Sequence, residues 1–200
     1  MKVSPTFELE EMLRRGGIEF LAGVDEAGRG PVAGPVTAAA VILPVGEYIR
    51  NVRDSKLLSQ SQRESAAAAI KEKAIDFAVA HVQNDTIDRI NILNATRLAV
   101  KTAVEKLSVK PQVILIDGKF LNLKGRTCIS IVKGDSTIFS IAAASILAKT
   151  TRDALMHDYS NEFPDYSFDR NKGYLTAEHL QAIRDHGLSP IHRKSFTIQT

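Results

Sequence analysis

Apolar and polar positions divide the 200-residue chain into a series of elements. Residues 5–15 carry the spacing of a short amphipathic helix, stopped by Gly16-Gly17. "IEFLAGVD" is apolar almost throughout, the pattern of a strand buried on both faces. "VTAAAVILP" is a second strand. The short Gly/Pro-rich link between the two favours an antiparallel hairpin, because a parallel crossover needs a dozen or more residues. "RDSKLLSQSQRESAAAAIKEKA" passes from loop to helix, with Ser61 and Glu64 at capping-box spacing and a helix-forming Ala66–Ala69 run. "IDFAVAHV" is a third strand, with Phe77 and Val79 on one face. "TIDRIN" and "ILNATRLAVKTAVEKL" follow. The second places Leu93, Leu98, Val104 and Leu107 near helical spacing, and Pro111 ends it. "VILID" reads as a central strand and "TCISIV" as a fifth. "STIFSIAAASILAKTTRDALMHDY" is a long helix whose small residues permit close approach to a sheet, "NEFPDYSFDRNKG" a loop, "TAEHLQAIRDHG" a last helix, and "LSPIHRKSFTIQT" an irregular tail.

The order β-β-α-β-α-β-β-α-α, with its leading hairpin, predicts an α/β fold built on a mixed sheet flanked by helices. Hydrophobic residues make up 44% of the chain, enough for one sizeable core. Aromatics are 6% and Trp is absent, so that core must be aliphatic. The formal charge of +3 is compatible with a polyanionic partner without requiring one. A single cysteine, Cys128, rules out an internal disulfide and a multi-cysteine zinc site; its alternating strand context makes it a small buried hydrophobe. The five histidines show no zinc-hydrolase spacing. The acidic N-terminus is not a signal peptide, and no apolar run has the roughly 20 residues a bilayer requires, so a soluble cytoplasmic protein is expected.

Candidate chemistry starts at "VDEAGRGPVAGPV", residues 24–36. Asp25 and Glu26 end an apolar strand, which suits either a solvated hairpin end or a site. Asp117 closes "VILID" before a glycine; it is a turn former or a carboxylate at the strand edge where open α/β sheets bind ligands. Asp135 in "KGDST" suits an N-cap for the long helix or a further site acid. Such carboxylates repel one another unless a cation compensates, and hard oxygen donors without a Cys or His cluster point to Mg²⁺ or Mn²⁺. A two-ion carboxylate site is a device for phosphodiester cleavage. The glycines of Gly28-Arg29-Gly30 do not fit a dinucleotide fingerprint; they expose backbone to a sugar, with a guanidinium for phosphate. Ser55, Lys56, Lys172, Tyr174, His192, Arg193, Lys194 and Ser195 supply cations and hydroxyls for a nucleic-acid track, or a plain solvated surface.

Taken in order, "GVDEAGRGPVAGPV", "RDSKLLS", "VILIDGK", "VKGDSTIFSIAAASILAKTTRD", "NKGYLTAEH" and "HRKSF" resemble bacterial ribonuclease HII, from about residue 18 to 196. The resemblance implies a ribonuclease H-like fold with a five-stranded mixed sheet, a core over about 18–158 and a helical substrate-binding segment over about 159–200. It implies catalytic, metal-holding acids at Asp25, Glu26, Asp117 and Asp135, sugar reading by Gly28, Arg29 and Gly30, and a sensing tyrosine at Tyr174. Contacts to backbone phosphate are implied at Ser55, Lys56, His192, Arg193 and Ser195, and Asp153 matches a recurrent family position. The substrates implied are RNA–DNA hybrids and duplex DNA with embedded ribonucleotides, cut with two Mg²⁺ or Mn²⁺ ions. The sister family, ribonuclease HIII, typically carries an extra N-terminal domain and a lysine in place of Arg29; about two dozen residues before Asp25 and the arginine favour HII. The alternatives are a non-catalytic nucleic-acid-binding module on the same fold and another metal-dependent phosphoryl hydrolase acting on a small substrate. A monomer is expected, with the stretch after Phe196 as a candidate docking segment for a partner such as a sliding clamp.

Overall fold

The computed structural model describes residues 4–53, 55, 58–119 and 123–198. Five strands form one sheet: β1 Leu21–Ala27, β2 Val36–Ile42, β3 Asp76–Val82, β4 Val113–Asp117 and β5 Cys128–Ile131. Their spatial order is β3-β2-β1-β4-β5. The leading hairpin is antiparallel, β2 and β3 are antiparallel, and β1, β4 and β5 run parallel to one another. The expected mixed sheet is therefore present, with β1 rather than β4 at its centre.

The helices are α1 Glu8–Arg15, α2 Gln60–Lys73, α3 Asn84–Glu105, α4 Phe139–Glu162, α5 Phe168–Asn171 and α6 Ala177–His186. On one sheet face, Ala22, Val24, Ala38 and Ala40 pack with Ala95, Ala99, Val100 and Ala103 of α3. On the other, Ala39 and Val41 meet Ile70 of α2 and Ala142, Ala143 and Ile146 of α4. Small residues on both sides bring helix and sheet close. A Cβ on Gly23 would lie 2.2 Å from the Ser140 carbonyl carbon, so α4 crosses β1 where only glycine fits.

Several elements differ from the sequence reading. The capping box of α2 is Ser59 with Gln62, not Ser61 with Glu64: the Ser59 side chain accepts from the Gln62 N–H, and the Gln62 side chain answers the Ser59 N–H. "TIDRIN" and the predicted helix that follows it form one helix, interrupted at Asn91, whose φ of 64° is non-helical. Its core face is Ala95, Thr96, Ala99, Val100, Ala103 and Val104; Leu93 and Leu98 are exposed. Residues 164–171 contain a 3-10 turn and the short α5 rather than loop alone. Cys128 is half-buried at the start of β5.

The C-terminal segment gathers Tyr166, Phe168, Ala182, Ile183 and Ile191 into a cluster seated on Ala33 and Met156. Among the described residues no helix is long and apolar enough to cross a membrane.

Candidate active site

The parallel strands β1, β4 and β5 place their carboxyl ends side by side, and each end delivers an acid. β1 ends with Asp25, Glu26 and Ala27, and β4 ends at Asp117. After β5 the chain turns through the 3-10 segment Gly134–Ser136, which carries Asp135, before α4 begins. This is the edge of an open sheet where backbone pairing runs out and ligands have access. Asp25, Glu26, Asp117 and Asp135 all line one cleft of about 300 Å³, with Gly28, Arg29, Gly30, Ser55, Ser145 and Tyr174.

Neighbouring strand residues point to opposite faces. Ala22 and Val24 face α3 and Gly23 faces α4, so Asp25 leaves toward α4 and Glu26 toward α3. Pairing of β1 with β4 stops at Val24–Ile116, one residue before Asp25 and Asp117. Past that pair no neighbouring strand separates the two faces on the β4 side. The adjacent acids can therefore turn into the same cleft around the sheet's end.

Asp25 is 5% exposed and Asp135 6%. Burial, then the charges of Glu26 and Asp117, holds the Asp25 carboxyl well above the usual carboxylate range, although Ser145 donates to it. Glu26 is pushed up by burial and restrained by the Arg29 guanidinium 3.2 Å away. Asp117 is raised by burial and the Asp135 charge, against the Gly134 N–H that donates to its Oδ1 at 2.6 Å. Glu26 Oε2 is buried without a hydrogen-bond partner among the described residues. Among the described residues, no three carboxylate, imidazole or thiol side chains are gathered tightly enough to hold an ion by themselves. The arrangement is an open, electron-rich corner, not a closed cage.

The N-cap alternative for Asp135 does not hold. The residue preceding α4 is Ile138, and no side chain of its own caps the helix. Glu10 of α1 does the job from outside, accepting from Ser140 N at 3.1 Å and Ser140 Oγ at 2.9 Å. Glu10 is buried, and that burial raises its carboxyl above the usual range. Its sequence signal was an acid amid the apolar spacing of α1.

The Gly28–Gly34 loop forms the rim. Gly28 has φ +92°, and a Cβ there would lie 2.1 Å from Arg152 Nε. Gly30 lies under Tyr174, whose ring edge would be 3.5 Å from an added Cβ. The Tyr174 side chain faces the cleft and the residue is 49% exposed.

Two expected phosphate contacts have other settings. Arg193 is 0% exposed. It donates to the carbonyls of Gly34 (2.9 Å), Arg29 (3.1 Å), Pro31 (2.7 Å) and Gly28 (2.6 Å), holding the loop from beneath. His192 is buried too, its ring nitrogens bonded to Ser189 and His179. Both side chains are enclosed by protein and cannot reach a phosphate. Ser195 is exposed, with its Oγ donating to Asp88 of α3 at 2.6 Å. Ser55 is buried in the cleft wall, its Oγ 3.1 Å from that of Ser145. Lys56 lies outside the described residues. Asp153 pairs with Lys149 at 2.7 Å in the wall of a neighbouring cleft, which also takes in Lys172.

Arg152, unremarked in the sequence, donates to Pro35 O, Ala33 O and Lys172 O and so joins the loop to the C-terminal segment. A basic residue inside a helix gives no local sign that it will be buried; only the converging carbonyls do.

A family model for ribonuclease HII matches residues 22–199. The chain belongs to the ribonuclease HII family. It is 52% identical over 186 residues to ribonuclease HII of Pelodictyon phaeoclathratiforme, covering 90% of each chain. The ribonuclease H2 structure from Pyrococcus horikoshii OT3 superposes with a TM-score of 0.75 at 28% identity, covering 89% of this chain and 94% of that one. The structure of the PCNA:RNase HII complex from Archaeoglobus fulgidus gives 0.78 at 23% identity, covering 91% and 97%, a likeness of fold. Membership makes the protein a hydrolase and an endonuclease of the ribonuclease H type.

Proposed function

We propose that this ribonuclease HII family member cuts the RNA strand of RNA–DNA hybrids and cuts duplex DNA 5′ to a single embedded ribonucleotide, removing misincorporated ribonucleotides. The observation that carries this reading is the meeting, in one cleft, of acids from three strand ends with a backbone-exposing Gly-Arg-Gly loop and a half-exposed tyrosine. Asp25, Glu26, Asp117 and Asp135 would hold two divalent cations, Mg²⁺ or Mn²⁺. Their fit rests on the unpartnered Glu26 Oε2 and on three carboxylates raised by burial in a corner where their charges repel. Because Mg²⁺ keeps waters and substrate phosphates in its shell, an open corner suits it better than a complete protein cage. When bound, such ions supply Lewis acidity on both sides of an in-line displacement.

The chain's own groups do the rest. Water attacks the phosphorus, the bond to the 3′-oxygen breaks, and the products are a 3′-hydroxyl and a 5′-phosphate. Arg29, exposed and paired with Glu26, is placed to meet a phosphate at the cleft mouth. Main-chain groups of Gly28–Gly30 and the Tyr174 hydroxyl read the 2′-hydroxyl, the one group that separates RNA from DNA here. These contacts address sugar and phosphate, so cleavage is independent of base sequence.

The test is incubation with Mg²⁺ and a duplex containing one ribonucleotide, beside an all-DNA duplex. A single cut 5′ to the ribonucleotide, absent from the control and stopped by chelator, is the expected result. Binding without metal-dependent products would overturn the reading and leave a binding module.

A further inference from the structure

His179 and His192 are 0% and 1% exposed, and they join the two parts of the site that the proposed function assigns to the sugar. Their tautomers follow from their partners. The Ser189 N–H donates to His192 Nδ1 at 2.9 Å, with Ser189 Oγ at 2.8 Å, so that nitrogen carries no proton. His179 Nδ1 lies 2.9 Å from the Tyr174 carbonyl, which only accepts, so it carries one. The two Nε2 atoms are 3.0 Å apart. His192 must donate there and His179 accept, and both rings are neutral. The result is a wire with one direction: Ser189 N–H to His192, His192 to His179, His179 to the Tyr174 carbonyl. That carbonyl also accepts from Thr176 N at 2.9 Å, which uses its second lone pair.

The residue after His192 serves the opposite rim. Arg193 holds the carbonyls of the Gly28–Gly34 loop, and its own N–H donates to Val32 O at 2.8 Å. Val32 N donates in turn to Gly173 O at 2.9 Å, next to Tyr174. His192 pairs with Ala33 as a β-bridge. Two consecutive tail residues thus grip both halves of the proposed sugar reader without facing the cleft.

We propose that the Ser189–His192–His179 wire, with Arg193, is a positioning bracket that sets Tyr174 against the Gly28–Gly30 loop, making ribonucleotide selection depend on residues that never touch the substrate. The bracket rests on the reading of Tyr174 given above. Burial and the neighbouring ring agree with neutral imidazoles: His192 is pushed down to about 4 by burial first and His179 second, and burial lowers His179.

Two variants of His179 separate positioning from packing. In His179→Asn the amide nitrogen replaces Nδ1 and still reaches the Tyr174 carbonyl; in His179→Gln it lies nearer the Nε2 position and does not. On a duplex with one ribonucleotide, His179→Asn is expected to retain roughly tenfold more kcat than His179→Gln, about the worth of one hydrogen bond, with melting temperatures close to each other. Equal kcat for the two would overturn the bracket. Tyr174→Phe runs alongside. If it cuts as the unaltered protein does, the sensing role of Tyr174 fails; if it is impaired while the two His179 variants match, only the bracket fails. On the unaltered chain, imidazole ¹⁵N spectra at neutral pH should show His179 protonated at Nδ1 and His192 at Nε2. Any other tautomer, or a charged ring, would also overturn the wire.

Discussion

The two sides of the cleft are built on opposite terms. At the sheet's end, Asp25, Glu26 and Asp117 crowd like charges into a buried corner and leave Glu26 Oε2 unpartnered. Across the cleft, the Gly28–Pro35 loop has four of its carbonyls taken by Arg193, and Pro35 O and Ala33 O taken by Arg152. One side is satisfied before any ligand arrives; the other is incomplete without positive charge. On the proposed function, a corner that binds cations and phosphate gains from unmet demand, and a loop that tests for one hydroxyl gains from being rigid, since a yielding loop would accommodate the wrong sugar.

The contrast can be broken most sharply at the acidic side. Asp117→Asn keeps shape but removes a charge. If the corner works through cations worth several kcal/mol to the reaction, cleavage should fall about a thousandfold while duplex binding persists. Single-turnover rates and a binding titration check this, and near-normal turnover would remove Asp117 from the machinery.

On the satisfied side the effect should appear in folding. Arg193→Ala strands four carbonyls that share one guanidinium, and urea unfolding should show a loss of about 3 kcal/mol or more. A change under about 1 kcal/mol would mean that water replaces the clamp and the loop is not held from beneath.

The smallest effect has the opposite sign. Asp25→Asn should stabilise the protein at neutral pH, by about 1–2 kcal/mol, because a crowded buried charge is gone. The folded-state carboxyl is raised, so its protonated form favours folding at pH below the ordinary value of 3.8, and that contribution is lost as pH rises through the folded-state range. The advantage of the variant should therefore grow from pH 4 to pH 7 in melting experiments, and Mg²⁺ should narrow it by stabilising the unaltered chain. A variant less stable than the parent at pH 7 would show that the corner carries no repulsion to relieve.

Much of the architecture was legible locally. The short Gly/Pro link favoured an antiparallel hairpin, and β1 and β2 form one. The same local logic failed where a partner decided the outcome. Leu93 and Leu98 matched a core face on spacing, but β2 offers α3 the small side chains Ala38 and Ala40, and alanines of the helix sit closest to them. The Ser61–Glu64 pair had the right interval, yet the helix starts two residues earlier because Ser59 and Gln62 answer each other's backbone first.

The sequence by itself determined the residue types available for chemistry and the strand ends on which three acid positions fall, because alternation, glycine and proline act within a few residues. Tertiary structure alone decided how Asp25 and Glu26 share a cleft, since that depends on where β4 stops pairing with β1. It also decided that His192 and Arg193, polar residues in an irregular tail, lie buried and not on the surface. A basic side chain's environment is set by the carbonyls that distant segments bring to it, and Gly28, Pro31 and Gly34 are more than 150 residues away in sequence from Arg193.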